Sequence, residues 1–70
     1  MYLRIGDLRK ENGLSQKQVA ELLGVSYKTY RAYEKGKRKI RTPQLIVLAD
    51  FYHTSVDYLI GYTDEKMPHD

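Results

Sequence analysis

The stretch that most constrains this chain runs from Ser15 to Arg41, SQKQVAELLGVSYKTYRAYEKGKRKIR. Its start and stop signals lie so close together that they define two short helices joined at one glycine. Ser15 is followed three residues later by Gln18. In this S-x-x-Q pattern a serine hydroxyl and a glutamine side chain each satisfy an otherwise unpaired backbone N–H. Leu14 before the cap and Val19 after it are spaced for a hydrophobic staple. Val19, Ala20, Leu22 and Leu23 give this helix an apolar face, and Gly24 ends it. Val25-Ser26 repeats the start signal, with Val25 and Tyr30 as the staple, and Gly36 is the second stop. The spacing predicts a helix over about residues 27–35. It turns Tyr30, Tyr33 and part of Glu34 inward, and Tyr27, Lys28, Arg31, Ala32 and Lys35 outward. That outward face has almost nothing hydrophobic to bury.

Charge singles out the same region. From Lys28 to Arg41 there are seven basic residues and one acid, Glu34, a net of +6. The remainder has five basic and eight acidic residues, a net of −3. Such polarity fits one face for a polyanion, with the other faces turned from it. A basic run alone is equally compatible with a solvated loop.

The rest of the chain reads as packing for this pair. Tyr2, Ile5 and Leu8 recur at helical spacing, so residues 2–12 are expected to form the first helix, stopped by Asn12-Gly13. Gly6 inside it has no sequence-level explanation, at a cost of up to about 1 kcal/mol against alanine. Thr42-Pro43 reads as a cap followed by proline in the first helical position. Leu45, Leu48, Ala49 and Tyr52 then give the clearest helical stripe in the chain. His53-Thr54 breaks it. Ser55 caps a short fifth helix with Val56, Leu59 and Ile60 on its apolar side, and Gly61 ends that helix. One domain is expected over residues 1–61, with 62–70 a polar, frayed tail. The fold class is therefore all-α.

Composition excludes several functions. A chain of 70 residues allows one domain, and 41% hydrophobic content argues for a folded one. There is no cysteine, so disulfides and thiolate metal sites are excluded. His53 and His69 lack metal-ligand spacing, so no metal and no cofactor is expected. Ser15, Ser26 and Ser55 are explained as caps rather than nucleophiles, and no phosphate-cradling glycine loop is present. The chain is not expected to be an enzyme. Charges interrupt every apolar run, so no membrane span is expected and the default location is cytoplasmic.

The positions of Gln16, Ala20, Gly24, Tyr30 and Tyr33, within LRKENGLSQKQVAELLGVSYKTYRAYEKGKR and then LADFYHTSVDYLIG, resemble the phage repressor and Cro type of helix-turn-helix, the XRE family. The likeness covers about residues 2–61. It implies a compact five-helix, lambda-repressor-like domain whose helices 2 and 3 form the helix-turn-helix. It also implies sequence-specific binding of double-stranded DNA, usually as a homodimer on a two-fold operator, and most often repression.

In this motif the N-terminal part of helix 3 meets base edges in the major groove. The corresponding residues are Tyr27, Lys28, Thr29, Arg31 and Ala32. Lys28 and Arg31 can donate to guanine, and Ala32 can touch a thymine methyl. Gln16, at the start of helix 2, is placed for a phosphate, and Lys35, Lys37, Arg38, Lys39 and Arg41 fit phosphate anchoring. Glu34 would repel DNA unless neutralised. The resemblance implies a structural salt bridge with Arg9.

Two residues depart from the family pattern. Tyr30 stands where isoleucine or valine is common, so its hydroxyl is expected at the edge of the domain. His53-Thr54 replaces a glycine-valine type turn, so the connection between helices 4 and 5 is expected to differ. Tyr58 and Tyr62 are candidates for a dimer surface. An alternative is an antitoxin-type protein-interaction module on the same fold, with DNA binding secondary. Such a module would want a sizeable apolar surface or a toxin-wrapping extension, and the short polar tail disfavours wrapping.

Overall fold

Five α-helices are present in residues 3–64, the part of the chain that the computed structural model describes. They are α1 (Ile5–Glu11), α2 (Gln16–Leu23), α3 (Tyr27–Lys35), α4 (Thr42–Phe51) and α5 (Val56–Leu59). Each contributes to one core: Ile5 and Leu8 from α1, Val19 and Ala20 from α2, Tyr30 and Tyr33 from α3, Leu45, Leu48 and Ala49 from α4, and Leu59 from α5. The staple residues Leu14 and Val25 pack against this core, half-buried, while Leu22 stays exposed. None of the described helices is long and apolar enough to cross a membrane.

All five helices end alike. The N–H of Leu14, Val25, Lys37, Thr54 and Tyr62 returns to the carbonyl of Arg9, Ala20, Ala32, Ala49 and Asp57, at 2.8–3.0 Å. This bond forms when the residue before the donor takes a left-handed conformation. Glycine fills that position in four helices; in α4 it is His53, at φ 59°. His53 therefore adopts the turn that glycine would make. At this turn of the α4–α5 connection Thr54 is buried.

Two helix starts differ from expectation. Leu3 and Arg4 precede α1 rather than belonging to it: Arg4 is the N-cap, and its N–H, which has no helical partner, donates to Leu59 O (2.7 Å). Tyr2 lies outside the described residues. Helix α4 begins one residue early, with Arg41 as its N-cap, Thr42 first and Pro43 second. Proline is tolerated there because the first-turn N–H groups have no helical partner. An arginine side chain offers no acceptor, so only the reverse cap forms, from Arg41 N–H to Gln44 Oε1 at 3.2 Å.

Arg4 also fastens the chain beyond α5. Its guanidinium donates to Tyr58 O (2.9 Å), Thr63 O (2.6 Å) and Asp64 Oδ1 (2.8 Å). It lies 4.2 Å over the Tyr58 ring. Ordered contacts thus continue past Gly61 to Asp64. The remainder of the expected frayed tail lies outside the described residues.

Candidate nucleic-acid interface

Helix α2 is set by its cap. Ser15 Oγ accepts from the Gln18 N–H at 3.0 Å, and Gln18 Oε1 accepts from the Ser15 N–H at 2.8 Å. Gly24 turns the chain at φ 70°, and Ser26 restarts it by accepting from the Thr29 N–H at 3.2 Å. These local bonds, with Tyr30 and Tyr33 buried, fix which face of α3 looks outward.

That face presents Lys28, Arg31, Ala32 and Lys35, which with Lys37 line an open cleft of about 260 Å³. It holds four cations and one methyl group. Tyr27 is 45% exposed at the start of the same helix. The structure separates Thr29 from this group. Thr29 is half-buried, and its hydroxyl oxygen accepts from Ser26 Oγ at 2.9 Å.

Thr29 instead lines a second, polar cleft of about 300 Å³ with Ser26, Arg38, Lys39, Arg41 and Gln44. The first turns of α3 and α4 both border this cleft, so peptide dipoles and three cations favour an anion there. Ser26 was legible from sequence only as a capping residue, and Gln44 carried no signal of its own. Their place in the cleft depends on the packing of α3 beside the start of α4.

Gln16 is occupied elsewhere. Its Nε2 donates to Glu34 Oε1 at 3.0 Å. Arg9 Nε donates to Glu34 Oε2 at 2.7 Å, and Arg9 Nη2 to Glu34 Oε1 at 3.3 Å. Arg9 Nη1 also donates to Leu14 O at 2.9 Å. The Arg9 and Glu34 side chains are only 13% and 11% exposed. One carboxylate thereby joins α1, α2 and α3. Burial alone would raise its pKa, but the hydrogen bonds from its neighbours outweigh burial and hold it below the usual carboxylate range. The Arg9 pKa is raised, chiefly by its hydrogen bond to Glu34.

Gly6 belongs to the same arrangement. A Cβ there would stand 3.3 Å from Glu34 Oε1 and 3.4 Å from Glu34 Cδ. The missing side chain lets α1 lie directly against the carboxylate, which accounts for a glycine inside a helix.

Tyr30 does not reach the edge of the domain. It is fully buried, and its hydroxyl has no partner in hydrogen-bonding geometry. Burial first, and then Glu34, push its pKa up. The Tyr52 hydroxyl is likewise buried without a partner, and burial pushes its pKa up to about 12. Tyr58 is half-buried beneath Arg4, whereas Tyr62 is 76% exposed.

Residues 5–59 match the helix-turn-helix family model. The chain is 38% identical over 65 residues to the HTH-type transcriptional regulator YobD of Bacillus subtilis (strain 168), spanning 93% of this chain and 58% of YobD. It is 38% identical over 68 residues to the cryptic phage CTXphi transcriptional repressor RstR of Vibrio cholerae, spanning 91% of this chain and 61% of RstR. The chain thus spans little more than half the length of these relatives. A crystal structure of a transcriptional regulator from Listeria innocua superposes with a TM-score of 0.80 at 39% identity, covering 94% of this chain and 61% of that one. With a helix-turn-helix of this geometry and these relatives, the chain belongs to the XRE-type helix-turn-helix family of DNA-binding transcriptional regulators.

Proposed function

We propose that this chain binds double-stranded DNA sequence-specifically as a transcriptional repressor, as a dimer on a two-fold operator. The observation that carries this reading is the pairing of two cationic surfaces along α3. Lys28, Arg31 and Lys35 project from its outward face, and Arg38, Lys39 and Arg41 border the cleft at its start. Lys28 and Arg31, with Tyr27 and Ala32, are suited to base edges; Lys35 and Lys37 at the far end of α3, with the second set, are suited to phosphates, which supply affinity without sequence choice. Thr29 fits the phosphate side, through the cleft it lines with Arg41. Gln16 contributes by its backbone N–H at the α2 N-terminus, while its side chain braces Glu34.

Selection of binding sites from random duplex DNA tests this reading. The expected outcome is an enriched two-fold sequence with half-sites about one helical turn apart, roughly 34–36 Å. Recovery of no enriched sequence would remove the specific reading.

One observation favours a second reading, the antitoxin-type interaction module. Helix α4 exposes Ile46 (55%), Val47 (43%) and Phe51 (49%) on a helix whose one charged residue is Asp50. Helices apolar on all sides are normally covered. Co-purification with a small toxin encoded beside this protein would put that reading first.

A further inference from the structure

A groove of about 320 Å³ opens where the chain before α1, the end of α3, the start of α4 and the residue after α5 meet. Its floor is apolar: Leu3, Ile40, Leu45, Ile60 and the ring of Tyr33. Ile40 and Leu45 belong to the core, while Leu3 and Ile60 are half-buried at its edge. Arg38 and Lys39 stand on its rim. Both are exposed, and no carboxylate among the described residues pairs with either. The same two cations and Tyr33 also line the polar cleft at the start of α3. An apolar groove and an anion-favouring cleft therefore adjoin across one pair of positive charges.

We propose that this groove binds a small apolar carboxylate, whose head group meets Arg38 and Lys39 and so competes with DNA. The competition rests on the DNA-binding reading above; the ligand site does not. The volume is at the lower end for small-molecule pockets, which selects a compact ligand. An aliphatic floor disfavours a nucleotide or free phosphate, whose polar groups would lose water without replacement. The rim disfavours an apolar cation, and a neutral apolar molecule leaves both charges unused. A carboxylate at the rim occupies donors that a DNA phosphate would use and cancels one positive charge. Binding of either partner then weakens the other by the same factor.

Decanoate is the probe, titrated into the full chain with backbone amide shifts as the readout. Saturable shifts are expected at Leu3, Ile40, Leu45 and Ile60, with a dissociation constant on the order of 0.1 mM. Decanol and decylammonium should bind more weakly by up to about fivefold, and Lys39→Glu should weaken decanoate by a similar factor. Lys17→Ala, at an exposed position on α2, should not. Decanoate at ten times its dissociation constant should raise the apparent Kd for duplex DNA about tenfold. Equal binding of decanol, or equal loss in Lys17→Ala, would overturn the carboxylate site. So would binding that appears only after removal of Met1 and Tyr2, since the chain's own N-terminus would then be the occupant. Unchanged DNA affinity in the presence of bound decanoate would overturn the competition. A chain without DNA affinity would refute the earlier reading instead, while the amide shifts would still decide the ligand site.

Discussion

Arg9 Nε lies 2.7 Å from Glu34 Oε2, and Gln16 donates to the other oxygen of the same carboxylate at 3.0 Å. The pair is largely shielded from water, so removing one partner leaves a charge with inadequate compensation. Arg9→Ala should cost about 2–3 kcal/mol, which for a domain of this size lowers Tm by roughly 10–20 °C. Calorimetry checks this, and an unchanged Tm would reduce the pair to a surface contact.

The depressed pKa of Glu34 gives stability a pH dependence of known sign. In the unfolded chain this carboxyl titrates near its ordinary value of 4.5, and in the folded chain below it. Its contribution is full above the unfolded value and is lost as pH falls through the folded one. Urea midpoints of the wild type and Glu34→Gln should differ most at neutral pH and converge below the ordinary carboxylate range. A gap independent of pH would contradict the assignment.

Gly6→Ala tests the contact between α1 and α3. Alanine stabilises a helix interior by about 1 kcal/mol over glycine, an upper bound for Gly6 in the first turn of α1. Here the added methyl meets a carboxylate held by Arg9 and Gln16, so it cannot move freely. A net loss of about 1 kcal/mol is expected by chemical denaturation. In a Glu34→Ala background the same substitution should become stabilising.

His53 holds a left-handed conformation without being glycine, at φ 59°. For such a residue this costs roughly 1–2 kcal/mol, partly offset by the greater unfolded-state freedom of glycine. His53→Gly should therefore raise stability by about 0.5–1 kcal/mol in urea melts. A loss would point to side-chain interactions of His53 that outweigh its backbone strain.

Two substitutions separate the proposed readers from the proposed anchors. Arg31→Ala should cost about 1–3 kcal/mol of operator affinity and relax choice at one base position. Lys37→Ala should weaken all duplexes alike and lower the salt slope by about one unit. Equal weakening of operator and random DNA by Arg31→Ala would remove its base-reading role.

Much of the architecture was legible in the sequence because its signals act over a few residues. A serine cap, a glycine stop and an i, i+3, i+4 stripe are decided within one or two helical turns. Ser15–Gln18, Gly24, Ser26 and the Leu45–Tyr52 stripe therefore predicted α2, α3 and α4 to within a residue. The outward face of α3 followed from the burial of Tyr30 and Tyr33. What the sequence left undecided depends on which elements meet across distances that no local pattern encodes. Gly6 acquires its reason only when α1 lies on Glu34, and Gln16 turns to that carboxylate only when α2 lies beside α3. Thr29 is divided from the other α3 residues by the chain that packs next to it. Tyr30 loses its route to solvent because the other helices close over it. Arg4, an unremarked cation in the sequence, fastens the chain beyond α5 because the Tyr58 and Thr63 carbonyls come within reach. Local capping and periodicity determined the helices; the pairing of side chains between them was decided only by tertiary packing.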